Sequence, residues 1–221
     1  MLLPDDAIYV STNAQYASKC LEHLPNLPES NVIAEPARRN TAPAIALCTF
    51  AIEERIGSCT LSFLASDHYI ADEPEFARIL GVAYAFAETH DELMTIGITP
   101  SEPNTEYGYL ETGDAIEGDV RRVLEFTEKP TRERAEEFLR AGNYVWNASM
   151  FLWRSDVFRR ELAVASPEIA RVSVENYESM PSISIDYALM EKTKRVATIR
   201  GDFGWSDVGS FEALRRVGVK V

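Results

Sequence analysis

Two carboxylates in this 221-residue sequence are placed where an α/β protein does chemistry. The first, Asp67, ends the stretch Thr60-Leu-Ser-Phe-Leu-Ala-Ser-Asp-His68, an apolar run with no Gly or Pro that stops abruptly in ionisable residues. The run reads as a buried strand. Polar groups just past the carboxyl end of a parallel strand lie where open α/β sheets bind ligands. The second, Asp207, lies in Gly201-Asp-Phe-Gly-Trp-Ser-Asp-Val-Gly209, a Gly-flanked loop directly after another predicted strand, where backbone can approach a ligand closely. Carboxylates from separate strand ends suit Mg²⁺, which takes one or two of them and completes its shell with water and substrate phosphates. Each also has a plain structural use, Asp67 as a helix cap or turn residue and Asp207 in an Asx-turn.

Other polar stretches add candidate ligands. In Glu128-Lys129-Pro130 the carboxylate can accept from sugar hydroxyls and the ammonium can meet a phosphate, while a solvated ion pair is the plain alternative. Asn147 follows Trp146 inside an aromatic run, and a buried amide must bond either to the protein or to a ligand hydroxyl. In Tyr107-Gly108-Tyr109 the glycine either admits a ligand to the backbone or makes a turn. The sequence contains no G-x-G-x-x-G or G-x-x-x-x-G-K-S/T cradle, no G-x-S-x-G elbow and no Cys/His pairing for a covalent nucleophile. Cys20, Cys48 and Cys59 match no metal spacing and read as free thiols, and three scattered histidines make a zinc site an unsuitable reading.

The elements that position these residues follow from periodicity. Strands are predicted over residues 7–11, 31–34, 60–65 and 93–98, and helices over 14–24, 41–56 and 73–89. Asn40 or Thr41 caps the second helix, with Pro43 in its first turn. This alternation implies a parallel sheet with helices on its faces. Beyond Pro100 strands are predicted over 120–126, 144–153 and 196–199, with helices over 131–141, 157–165, 167–177 and 185–191.

Composition bounds the function. The formal charge of −13 argues against a polyanion-binding surface, although Arg38-Arg39 or Arg121-Arg122 can hold one small phosphorylated ligand. The acidic N-terminus lacks a signal-peptide core, and the longest apolar run is too short to span a bilayer, so a cytoplasmic protein that binds neither nucleic acid nor membrane is expected.

Taken in order, the motifs resemble the mannose-1-phosphate guanylyltransferase family of sugar-nucleotide pyrophosphorylases. The resemblance runs from about Ile8 to Phe211 and rests on Glu35-Pro-Ala-Arg-Arg-Asn-Thr-Ala-Pro-Ala-Ile-Ala46, Ala65-Ser-Asp-His68, Tyr107-Gly-Tyr109, Phe126-Thr-Glu-Lys-Pro130, Trp146-Asn147 and Trp205-Ser-Asp-Val-Gly209. It implies a Rossmann-like mixed, mostly parallel sheet with flanking helices, and transfer of GMP from GTP to mannose 1-phosphate with release of pyrophosphate. On this resemblance Asp67 and Asp207 hold Mg²⁺, and Arg39, Asn40, Thr41 and Ser66 lie near the nucleotide. Tyr107, Gly108, Glu128 and Asn147 hold the sugar, and Lys129 its phosphate.

The sequence departs from the family in three places. The Gly-Gly-x-Gly-Thr-Arg-Leu loop that binds the triphosphate, with its first strand, is not in this chain. Ser149 stands where the family usually has Gly, and its side chain is expected to crowd the sugar pocket. The tail Arg215-Arg-Val-Gly-Val-Lys-Val221 is unlike the family's continuation into a left-handed helix domain and a fused isomerase domain. The expectation is therefore a single nucleotidyltransferase-like domain over residues 1–221, truncated at both ends, with an open sheet edge that leaves a marginal monomer or a homodimer. The alternatives are a sugar-phosphate or nucleotide-binding or regulatory chain of the same fold, and a pyrophosphorylase for another base or sugar.

Overall fold

The computed structural model describes residues 4–209, 211–216 and 218. The chain forms two compact units, one from Met1–Cys59 with Phe158–Lys192 and the other from Thr60–Val157 with Thr193–Val221.

In the first unit, β1 (Val10–Asn13) and β2 (Val32–Glu35) pair in parallel, with α1 (Ala17–His23) between them in sequence. The long helix α2 (Thr41–Ile56) follows. Asn40 caps it, its side chain accepting from the Thr41 amide at 2.7 Å, and Pro43 occupies the first turn, where a missing N–H leaves no helical bond unmade. Ala42, Ile45, Ala46, Leu47 and Cys48 are all buried. All three cysteines are free, as expected, but only Cys48 is buried; burial pushes its thiol up to about 11.

One helix read from the sequence in this unit, over 167–177, is not formed, and another, over 185–191, is present in the wider π form. Over residues 167–177 there are only short 3₁₀ turns at Ile169–Arg171 and Tyr177–Ser179. The Asn176 side chain accepts from the Ser173 amide and donates to the Arg171 carbonyl, taking partners an α-helix would need. Over 185–191 the turn is a wider one, Asp186–Met190, closed by the Glu191 amide on the Asp186 carbonyl at 2.9 Å.

The second unit is built on a mixed sheet of six strands in the order β3-β7-β4-β8-β6-β5. These are β3 (Thr60–Phe63), β4 (Leu93–Ile98), β5 (Tyr109–Glu117), β6 (Val120–Thr127), β7 (Tyr144–Arg154) and β8 (Val196–Gly201). The pairings make β3, β4, β5 and β8 run in one direction, with β6 and β7 against them. The mixed α/β class with flanking helices is as expected. The direct parallel pairing in this sheet is β4 with β8, because the eleven-residue β7 lies between β3 and β4. That arrangement also corrects the reading of β3 as a buried strand. Among the described residues it pairs with β7 alone, and all four of its residues are half-buried.

Three helices flank this sheet or leave it. The helix α3 (Glu73–Thr89) starts at Asp72, whose carboxylate accepts from the Glu75 amide at 3.0 Å. Its apolar stripe of Ile79, Ala83 and Phe86 packs against Met94 and Ile96 of β4, Met150 and Leu152 of β7 and Ile199 of β8. The helix α4 (Arg132–Ala141) is capped by Thr131 and closed by Gly142 in the left-handed conformation, with Phe138 packed on Tyr109 and Trp146. The helix α5 (Ser155–Ala165) leads out of β7, and α6 (Phe211–Arg216) is the last element. In the divergent tail, residues 217 and 219–221 lie outside the described residues.

The β4–β7 pairing carries the irregularity that matters for the site. Thr95 faces Phe151 and Gly97 faces Asn147, so Ile96 alone on β4 spans Ala148, Ser149 and Met150 on β7. Such a bulge re-aims side chains locally. Gly97 has to be glycine here, since a Cβ would stand 2.3 Å from Val145 Cγ2 and 2.9 Å from Thr198 Oγ1. Gly97→Ala is expected to destabilise the fold by about 1–3 kcal/mol, through overpacking at a buried strand pair. Urea denaturation that leaves the midpoint unchanged would disprove the contact.

Candidate active site

The carboxyl ends of β3 and β8 release the two acidic loops. An isolated antiparallel bridge ties them together: the Tyr69 amide donates to the Ser206 carbonyl at 2.8 Å and the Ser206 amide to the Tyr69 carbonyl at 3.0 Å. The Ala71 and Asp72 amides both donate to the Phe203 carbonyl at 3.0 Å. Gly204, at φ 64°, makes the approach possible, because a Cβ there would stand 2.7 Å from Ala71 Cβ. Asp67 lies two residues before this bridge and Asp207 directly after it. Ser66 and Asp67 form an exposed turn between the strand and the bridge.

His68 sits between the two acids. Its ring meets Trp205 edge-on at 5.3 Å, and the Trp205 indole Nε1 donates to His68 Nδ1 at 3.1 Å. That bond assigns the neutral ring's proton to Nε2. Burial holds the imidazole below its ordinary value, while the charges of Asp67 and Asp207 act in the opposite direction.

Asp207 Oδ1 accepts from the Tyr107 hydroxyl at 2.9 Å and from the Gly209 amide at 3.3 Å. The Asx-turn is therefore present, and it orients the carboxylate without excluding a ligand on the other oxygen. Among the described residues no group of three or more His, Cys, Asp or Glu side chains could hold a metal ion. A pair of oxygen donors on tethered loops fits Mg²⁺, which leaves most positions to water and phosphate.

A second group of candidate residues meets at the start of β5, the end of β6 and the start of β7. The Asn147 amide donates to the Gly108 carbonyl at 2.8 Å. A Cβ on Gly108 would stand 2.5 Å from Glu128 Oε2 and 3.4 Å from Asn147 Cβ. Glycine at 108 is thus what lets the Glu128 carboxylate and the Asn147 side chain converge. Glu128 has a side chain only 8% exposed and pairs with Lys129 Nζ at 2.7 Å, while Lys129 is 52% exposed. A buried acceptor with a half-exposed cation is not the solvated ion pair of the plain reading. Tyr107 links the two groups: its hydroxyl holds Asp207, and its ring lies 5.1 Å from Trp146 and 5.3 Å from Trp205.

Backbone strain marks the same positions. The non-glycine residues with positive φ among the described residues are Asn40 (64°), Lys129 (47°), Ser149 (54°) and Val208 (44°). Two of them are candidate residues, Val208 adjoins Asp207, and Ser149 follows Asn147 by two. Each such conformation costs on the order of 1–3 kcal/mol and concentrates at functional sites. Ser149 is exposed. What sets this position apart is the left-handed backbone, which a glycine adopts without a Cβ penalty.

The remaining candidates, Arg39, Asn40 and Thr41, belong to the first unit, where their polar groups are used to fix their own loop. The Arg39 guanidinium donates to the Glu178 and Arg38 carbonyls, and Thr41 Oγ1 accepts from the Ile185 amide at 2.9 Å. Glu35, at the head of this motif, is held by Ser11 at 3.0 Å and by the buried Tyr177 hydroxyl at 2.6 Å. Burial and the Glu35 carboxylate both push the Tyr177 hydroxyl well above its ordinary value, so it stays a donor.

Residue reasoning missed His68, Trp205 and Thr95 as working parts. His68 and Trp205 belong to the motifs above, but their spacing carries no signal that their rings meet. Thr95, fully buried in β4, carries no sequence signal; its Oγ1 donates to Asn147 Oδ1 at 2.8 Å across the bulge.

Residues 4–221 match the model of the family described as nucleotidyl transferase. A putative mannose-1-phosphate guanylyltransferase of Vibrio cholerae is 39% identical over 209 residues, covering 87% of this chain and 45% of that protein. A mannose-1-phosphate guanylyltransferase of Salmonella typhimurium is 39% identical over 204 residues, covering 84% and 42%. The chain thus spans less than half the length of these curated relatives. A solved structure from Thermus thermophilus, described as a mannose-1-phosphate geranyltransferase, matches with a TM-score of 0.89 at 31% identity, covering 100% of this chain and 66% of that one.

Ser149→Gly removes the Cβ from a left-handed residue and keeps the backbone N–H. It is expected to stabilise the protein by about 0.5–1 kcal/mol, the left-handed penalty less the extra chain entropy of glycine. A thermal melt showing a lower midpoint would contradict this.

Proposed function

The chain belongs to the nucleotidyl transferase family, and from that premise we propose that it acts as one nucleotidyltransferase-like domain making GDP-mannose from GTP and mannose 1-phosphate with Mg²⁺. An oxygen of the sugar 1-phosphate bonds to the α-phosphorus of GTP. The bond from that phosphorus to the α,β-bridging oxygen breaks, and pyrophosphate leaves with the electron pair. The nucleophile is already an oxyanion, so the residues serve to position groups and neutralise charge rather than to remove a proton.

The observation that carries this reading is the meeting of two polar groups through Tyr107, one with Asp67 and Asp207 and the other with Gly108, Glu128 and Asn147. In the proposal the second group holds the sugar. Glu128 accepts from a hydroxyl, Asn147 bonds another, and the aromatic faces of Tyr107 and Trp146 exclude water. Lys129 meets the sugar phosphate. Ser66 is assigned to the nucleotide, and so are Arg39, Asn40 and Thr41, whose bonds above keep their own loop in shape. Mg²⁺, held by Asp67 and Asp207, would supply Lewis-acid neutralisation of triphosphate charge. His68, held neutral against Trp205, leaves both acids available to a cation.

No helix among the described residues is long and apolar enough to cross a membrane, and we assign the protein to the cytoplasm. Because β3 pairs on one side only among the described residues, we also assign a homodimer in which a second copy covers that edge. Light scattering at the monomer mass would refute it.

Incubation with GTP, mannose 1-phosphate and Mg²⁺ is expected to give GDP-mannose and pyrophosphate, resolved by anion-exchange chromatography. Chelation should abolish turnover, and Asp67→Asn or Asp207→Asn should each lower kcat by about 100-fold or more. Turnover with UTP or glucose 1-phosphate but not with this pair would reassign the substrates. Calorimetric binding of mannose 1-phosphate without turnover would leave a binding role.

A further inference from the structure

We propose that Trp205 is a positioning residue whose indole holds His68 so that the imidazole offers its Nε2–H to a phosphate oxygen of the nucleotide; the inference rests on the function proposed above. A neutral imidazole has one donor and one acceptor, and an indole N–H can only donate. Trp205 Nε1 lies 3.1 Å from His68 Nδ1, so Nδ1 is the acceptor and the ring's single proton is on Nε2. A proton on Nδ1 instead would set two N–H groups against each other at that distance. The two ring nitrogens point to different edges of the imidazole, so Nε2–H is directed away from the indole. Among the described residues none accepts from it.

The backbone brings this pair together beside the acids. The isolated bridge opposes Tyr69 to Ser206. Carried one residue further in antiparallel register, it opposes His68 to Asp207. Trp205 is then the diagonal neighbour of His68 on the same face, a spacing that aromatic side chains span. The rings meet edge-on at 5.3 Å. Trp205 is itself anchored, half-buried, against the Tyr107 ring at 5.3 Å and against the apolar cluster under α3. A divalent cation shared by Asp67 and Asp207 would bring anionic ligand oxygens to this place, and Nε2–H is a matching donor for one of them. The opposite tautomer would turn a lone pair towards those oxygens and repel them. Ligation of the cation through Nε2 would force the proton onto Nδ1, against the indole N–H, so the pairing also keeps the imidazole out of the metal's shell. The sugar is assigned to the cluster around Glu128 and Asn147, which makes the phosphate at the acids that of the nucleotide.

Calorimetry on the full chain, with GTP and Mg²⁺ and no sugar phosphate, tests this without requiring turnover. Trp205→Phe keeps an aromatic ring and removes the donor, and His68→Ala removes the imidazole. Each is expected to raise Kd for GTP by about tenfold, with Kd for mannose 1-phosphate within about threefold of wild type. His68→Gln offers an amide oxygen to the indole and an N–H to the ligand, so it should recover most of the GTP affinity lost in His68→Ala. A metal ligand or a general base would not be recovered in this way. In the His68→Ala background Trp205→Phe should cause no further change, because the indole acts through the imidazole. Long-range ¹H–¹⁵N spectra of the wild type should place the His68 proton on Nε2. A proton on Nδ1, an unchanged GTP Kd in His68→Ala, or a glutamine variant no better than alanine would each overturn the inference. If Trp205→Phe does not fold, the two His68 variants and the spectra decide it. A wild type that binds neither GTP nor mannose 1-phosphate overturns the proposed function itself, whereas a wild type that binds GTP no more tightly than His68→Ala overturns only the role given to this pair.

Discussion

The pair of backbone hydrogen bonds between Tyr69 and Ser206 is the constraint on which the acidic half of the site depends. Each loop leaves a different strand, and neither is part of a ladder. Without the bridge, Asp67 and Asp207 would be two independent surface acids. With it, they are held next to one ring, His68, whose charged form is disfavoured by burial. Gly204 and the Phe203 carbonyl make the bridge geometrically possible, so the loop's glycines serve the backbone approach first.

Tyr107 carries that constraint across to the polar cluster around Asn147. A hydroxyl that holds Asp207, on a ring packed between Trp146 and Trp205, makes the position of the acid depend on the aromatic packing. On the far side, the β4–β7 bulge does for Asn147 what the bridge does for the acids. It fixes a polar group by satisfying its other hydrogen bonds inside the protein. Buried polar networks of this kind are costly when incomplete and specific when complete. The left-handed residues Lys129, Ser149 and Val208 stand at the places where the chain is bent to complete them.

Much of this was legible in the amino-acid order. The helices α2, α3 and α4 and the strands β3 and β4 fall within two residues of the periodicity, because each has a clear apolar stripe or run bounded by a cap, Gly or Pro. The segments that misled are those where side chains compete with the backbone. Residues 167–177 have helical spacing, yet Asn176 folds back on Ser173 and Arg171 and the helix does not form. The run ending in Asp67 has the composition of a buried strand, but burial is a property of neighbours, and among the described residues β3 has one strand partner.

By itself the sequence determined the chemistry available: which acids follow strands, which amide sits among aromatics, and which ordered motifs identify the nucleotidyl transferase family. It determined these because residue type and strand or helix period are local quantities. Only the tertiary structure decided that Tyr107 reaches Asp207, one hundred residues away, that Gly108 is small to admit Glu128, and that Thr95 holds Asn147. Those are contacts set by strand order and by a bulge, and neither leaves a local pattern.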